Sequence, residues 1–363
     1  MKYRELQTPQ GSLEYVAYDN HVELSGYRGK DIRLTVPDLL EDKPVTGVLK
    51  KAFLSAKTIR ELKLPYSVSR IDDFAFAFCS NLKSIYLSEQ LTEMGISIFK
   101  ECDELHQIHV LAGDSCKEGS KAVSVDPGAG HHLSEQDVEK RESDFSFLLA
   151  STAGILEAPY LFRPDQVYQS DWITLWDKRM MSILEVDDME GYSKMLLCGE
   201  EDYGSNETHP EVYRNKRRKA KVRLCMLRLM QDYALSPENK DYLRAYLKSH
   251  RKGEESEETW EVVLQEHGDE RAYYELLTEI DCVTMQNLPD MLLDMKDRHA
   301  EMKAFLLKYR DGQSAADDFF DGLWDIIDWE RAGQRSYFAE FEPWWPVRSN
   351  WHLIVGVPLR LLP

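Results

Sequence analysis

Phenylalanine recurs at Phe53, Phe76 and Phe99, an interval of 23 residues, and the residues around it keep the same interval. Ile59, Leu82 and Leu105 form one column. Leu62, Ile85 and Ile108 form a second, and Leu64, Leu87 and Val110 a third. Val45, Val68 and Leu91 repeat too, as do Ala56, Cys79 and Cys102. Several apolar columns at one period constrain the fold more than any short motif could. A unit of 23 residues cannot bury an apolar side by itself, so each unit must stack on the next and the chain must wind into a solenoid.

Each unit carries an L-x-x-L-x-L core: Ile59-x-x-Leu62-x-Leu64, Leu82-x-x-Ile85-x-Leu87 and Leu105-x-x-Ile108-x-Val110. That pattern belongs to the short strand of a leucine-rich repeat. Strand side chains alternate between faces, so the residues between the apolar positions point outward. They make two columns, Glu61, Ser84 and Gln107 beside Lys63, Tyr86 and His109, which are the candidate contacts for a partner protein. The cysteine column reads as small buried residues. Upstream, the alternation from Leu13 to Tyr18, the Asp19-Asn20 turn and Val22-x-Leu24 predict a β-hairpin that covers the first open edge.

The run Ala52-Phe53, Leu62-x-Leu64-Pro65, Val68-x-x-Ile71, Ala75-Phe76 and Cys79-Ser80-Asn81-Leu82 resembles the BspA-type leucine-rich repeat of bacterial proteins. The lead-in Val22-Glu23-Leu24-Ser25-Gly26-Tyr27, Leu34-x-Val36-Pro37 and Pro44-Val45-Thr46 is similar to that family's opening unit. The resemblance spans roughly residues 13 to 111. It implies a bacterial protein-recognition scaffold with no enzyme chemistry of its own.

From about Ala112 the pattern dissolves into Gly, Ser, Asp, Lys and Glu, with Asp126-Pro127-Gly128-Ala129-Gly130 as a turn or joint. Beyond it the apolar spacing becomes helical. Ser134-x-x-Asp137 is a capping-box start, and Ser236-Pro237 sets a cap before a first-turn proline. Further helices are predicted near 172 to 185, 212 to 233, 237 to 250, 258 to 267, 270 to 280, 288 to 296, 299 to 309 and 315 to 328. Leu243-Arg244-Ala245-Tyr246-Leu247 and Met302-Lys303-Ala304-Phe305-Leu306 look alike, which suggests stacked helical hairpins and a weak likeness to an ankyrin-type array. The expected organisation is α+β and multidomain. A capped repeat domain (1–111) and a linker (112–144) precede an α-helical repeat or bundle domain (145–328) and a Trp-rich tail (329–363).

Charge narrows the partners. The 363 residues carry 45 Lys plus Arg against 64 Asp plus Glu, a net charge of −19, which repels phosphate chains overall. One basic run opposes this trend. On a helix, Arg214, Arg217, Lys221 and Arg228 share a side, and Arg214, Arg217, Arg218 and Lys221 form a candidate anion-binding patch. The alternative function is therefore a nucleic-acid-associated regulator using the helix around residues 214–223. The competing assignment is a solvated face paired with acids such as Glu200, Glu201, Asp202 and Glu207.

Enzyme motifs are wanting. Ser80-x-x-Lys83 and Ser97-x-x-Lys100 fall inside repeat units without companion motifs, and there is no Walker loop, H-E-x-x-H or G-x-S-x-G string. Cys198-Gly199-Glu200-Glu201-Asp202-Tyr203 with His209 is the best metal candidate, and His131-His132 lacks zinc-ligand spacing. The expectation is no metal, no cofactor and no catalysis. Six scattered cysteines, no signal-like amino terminus and no apolar stretch long enough to span a bilayer predict a cytoplasmic protein. Five of the eight tryptophans lie after residue 323, ahead of the apolar run Leu353-Ile354-Val355-Gly356-Val357.

Overall fold

The structure, a computed structural model, describes residues 2–113, 134–193 apart from 154 and 157, and 209–312. It is mixed α+β, with a β-solenoid of about four turns followed by helices. Residues up to Lys303 form one compact unit.

Two sheets build the solenoid. The repeat strands β4 (Arg33–Thr35), β7 (Glu61–Lys63), β9 (Ser84–Ser88) and β11 (Gln107–Leu111) lie side by side, all parallel. Glu61 pairs with Ser84 and Ser84 with Gln107, so the sequence period is the hydrogen-bond register. The second sheet holds β6 (Lys43–Val48), β8 (Arg70–Ile71) and β10 (Glu93–Met94), again in parallel. Between the sheets, Phe53, Phe76, Leu62, Ile85, Leu87 and Leu91 are fully buried.

The sharp corners have a repeating device. Lys51, Phe74 and Ser97 all take positive φ, as do Ser55, Phe78 and Glu101, one pair per turn. L-residues pay for that conformation. Here the strained N–H groups bond across to the neighbouring turn: Phe74 N to the Ile96 carbonyl (3.1 Å) and Phe78 N to that of Lys100 (2.7 Å).

The predicted hairpin is present as β2 (Gly11–Ala17) and β3 (Val22–Gly29). It extends the second sheet, because β3 pairs with β6, while the free edge of the repeat sheet is β4. A strand the sequence pattern had not revealed, β1 (Lys2–Thr8), pairs antiparallel with β2. Buried Asp31 ties this cap to the first turn by accepting from Thr8 Oγ1, the Gln10 amide (3.0 Å) and the Tyr27 hydroxyl (3.0 Å). A further strand, β5 (Leu39–Leu40), turns back onto β6 through Glu41 and Asp42, both at positive φ.

The aromatic column outlasts the repeat. Tyr27 stacks on Phe53 at 5.9 Å, Phe53 meets Phe76 at 5.3 Å and Phe76 meets Phe99 at 5.5 Å. Phe162, from beyond the repeats, then meets Phe99 edge-on at 5.7 Å. Helix α1 (Glu135–Ala153) packs on β11 and covers the last strand. It starts inside the stretch expected to be linker, and its capping box forms as the sequence implied: Asp137 N donates to Ser134 Oγ and Ser134 N to the Asp137 carboxylate. Residues 114–133 of that stretch lie outside the described residues.

The remaining helices are α2 (Trp172–Glu185), α3 (Pro210–Met230), α4 (Pro237–Ser249), α5 (Glu258–Glu266), α6 (Arg271–Glu279), α7 (Leu288–Asp294) and α8 (residues 300–312). Among the described residues α3 is the hub, with α1, α2, α4, α5 and α6 against it. Ser236 caps α4 by accepting from Asn239 N. Trp172, Trp176 and Trp260 are buried, and each indole N–H has an acceptor: the Leu161 and Leu148 carbonyls and Asp294.

Candidate protein-binding face

Outward residues of the repeat sheet form the two columns expected. Glu61, Ser84 and Gln107 are in register, and so are Lys63, Tyr86 and His109. Each is partly exposed while Leu62, Ile85 and Ile108 between them are buried. Parallel pairing adds a fourth row: Arg33 precedes Glu61 and Thr35 precedes Lys63. A fixed interval of 23 misses these two, because the first turn is 28 residues long and contains the β5–β6 hairpin. The signal was available in Leu34-x-Val36-Pro37, which matches Leu62-x-Leu64-Pro65 at that longer spacing.

The face is graded in character. At the β4 side it is ionic: Arg33 lies 3.7 Å and Lys63 3.4 Å from the Glu61 carboxylate. Towards β11 it becomes aromatic. The Lys63 ammonium sits 4.6 Å from the centre of the Tyr86 ring, and the Tyr86 and His109 rings stack at 4.4 Å with planes 16° apart. Burial holds the His109 imidazole below its usual range, with Glu61 opposing that shift and Lys63 adding to it. A neutral imidazole stacked on a phenol, with a cation at one end, is suited to recognition by stacking and hydrogen bonding.

The cysteine column is structural. Cys79 and Cys102 are buried free thiols whose sulfurs lie 3.1 Å from the Phe53 and Phe76 carbonyls. The neighbouring Cys79 sulfur and burial push the Cys102 thiol up, away from reactive thiolate.

The basic run is mostly spent inside the protein. Arg214 pairs with Glu211, Arg218 with Asp188 at 2.7 Å, Lys219 with Glu261 at 3.0 Å and Arg223 with Glu266 at 2.6 Å. Lys221 and Arg228, expected on a solvated side, are 4% and 0% exposed. Lys221 bonds Asp188 and the Val186 carbonyl. Arg228 makes a two-pronged bond to Asp177 at 2.7 and 3.2 Å and caps the carbonyls of Gln231 and Tyr233. Neighbouring helices pack against α3, so helical spacing by itself does not decide whether these cations lie in water. Burial works to raise the Asp188 carboxyl, yet its bonds from Lys221 and Arg218 win and hold it below the usual carboxylate range.

Other candidates fall elsewhere. Cys198 to Tyr203, His131-His132 and the Trp-rich tail lie outside the described residues. Among the described residues no three His, Cys, Asp or Glu side chains are grouped to hold a metal ion, and no helix is long and apolar enough to cross a membrane.

Residues 40–118 match the BspA type leucine rich repeat region in six copies. The repeat region occupies well under half of the chain. Among solved structures, the chain is similar to a Leucine Rich Repeat protein of T. pallidum at 27% identity, over 29% of this chain and 53% of that one, with a TM-score of 0.26. A leucine rich cell surface protein of Faecalibacterium prausnitzii matches at 19% identity, over 30% of each chain, with a TM-score of 0.25. A leucine-rich repeat protein of Bacteroides capillosus matches at 19% over 30% of this chain and 98% of that one, at 0.24. The chain thus spans about half of the first of these proteins and less than a third of the second. No curated protein matches.

Proposed function

We propose that the protein is a non-enzymatic interaction scaffold whose repeat face binds an extended segment or loop of a partner protein. The observation that carries this is the in-register face itself: four parallel strands present Arg33, Glu61, Lys63, Tyr86 and His109 as one graded surface. Its size selects the kind of partner. Four strands about 4.8 Å apart, of three to five residues at about 3.3 Å each, give a footprint of roughly 14 Å by 10 to 16 Å. That is far below the roughly 800 Å² per side of a standard interface between folded domains. A short segment anchored on the Tyr86–His109 stack fits such an area. The free thiols of Cys79, Cys102, Cys225 and Cys282 support the cytoplasm as the working compartment.

Affinity capture from a bacterial lysate tests this, comparing the wild-type chain with the triple variant Lys63→Glu, Tyr86→Ala, His109→Ala. We expect at least one captured protein to fall tenfold or more in the variant while the circular dichroism spectrum is unchanged. An identical set of captured proteins overturns the assignment of the repeat face.

A further inference from the structure

We propose a second site, a small pocket between α2 and α3 that binds the carboxylate of a short-chain aliphatic acid. It stands on observations separate from the repeat face. Most cations along α3 have a carboxylate beside them, but Arg217 of α3 and Arg179 of α2 do not. Among the described residues neither Arg179 nor Arg217 makes an ion pair, and the Nε of each is buried without a hydrogen-bond partner. Both line one cavity of about 140 Å³.

A guanidinium is a rigid fork that matches a carboxylate edge. Lys221 reaches the same cavity but is already bound to Asp188, so the two arginines hold the uncompensated charge. Ile155, Ile183, Val186, Ala220 and Leu224 complete its lining. These side chains offer no hydrogen bonds, so they suit an alkyl tail and leave the far side of a phosphate unsolvated. The volume is about that of four to five water molecules. It admits an acid with a tail of a few carbons and is too small for a nucleotide, whose pockets run to roughly 300 Å³ and beyond.

Isothermal titration of the full chain with sodium butyrate, against sodium acetate and sodium phosphate at matched ionic strength, tests the proposal. Butyrate should bind saturably and more tightly than acetate or phosphate. Arg179→Gln and Arg217→Gln should each weaken it at least tenfold, and Arg214→Gln, on the same helix but outside the cavity, should leave it unchanged. Arg217→Lys keeps the charge and loses the fork, so it should fold normally and still bind several-fold more weakly. No saturable butyrate heat overturns the site. Phosphate binding as well as butyrate, or equal loss in Arg214→Gln, overturns its assigned chemistry.

Discussion

The repeat region and the helical region bury their cores by opposite strategies. In the solenoid each buried position is repeated: Ile85 and Ile108 hold the same place one turn apart, and both are fully buried. The same contact is made over and over, and its buried side chains are almost all apolar. Among the described residues of the helical region, Arg228 has no exposed surface and is held by Asp177 and two carbonyls. A stack of equal units spreads stability over nearest neighbours, whereas an unrepeated packing concentrates it in particular pairs.

Three measurements bear on that contrast, all by urea denaturation followed by circular dichroism unless stated. The largest effect should come from the pair. Arg228→Met leaves Asp177 without its partner and should cost about 3–5 kcal/mol, whereas joining it to Asp177→Leu should restore most of the loss. Failure of the double variant to recover would mean that the carbonyl bonds, not the ion pair, hold α3 in place. In the solenoid, Ile85→Val and Ile108→Val should each cost about 0.5–1.5 kcal/mol. The two costs should agree closely. A several-fold difference between them would show that α1, packed on β11, makes the last turn unlike the others.

The smallest effect concerns pH. Burial depresses the His109 pKa in the folded protein, so between its unfolded and folded values the unfolded chain binds more protons. Stability should therefore fall as pH drops below about 6.5, the ordinary imidazole value. His109→Gln should flatten that part of the pH profile, and an unchanged profile would show that the stack with Tyr86 does not shield the ring.

Much of the repeat region could be read from the chain because every strand, corner and column is written more than once. The cap was only partly legible. Leu13 to Leu24 alternates clearly, but Lys2 to Thr8 is largely polar and becomes a strand only because β2 has an edge to offer. Asp31 looks like any loop acid until three donors converge on it. Helix positions followed from apolar spacing and from caps at Ser134 and Ser236. The fate of the basic run did not, because apart from Glu211 the acids that pair with it, among them Asp188, Glu258, Glu261 and Glu266, lie 30 or more residues away.

Periodicity alone determined that residues 53 to 110 wind into stacked strands and which side chains face outward, since a two-residue alternation and a fixed repeat leave one consistent register. Only the tertiary structure decided that Tyr27 and Phe162 extend the phenylalanine column and that α1 covers its open end. It alone buried Arg228 and left Arg179 and Arg217 facing a cavity. The physical reason is range. Backbone geometry and side-chain period act over a few residues, whereas burial and charge pairing depend on which distant segments come to lie against them.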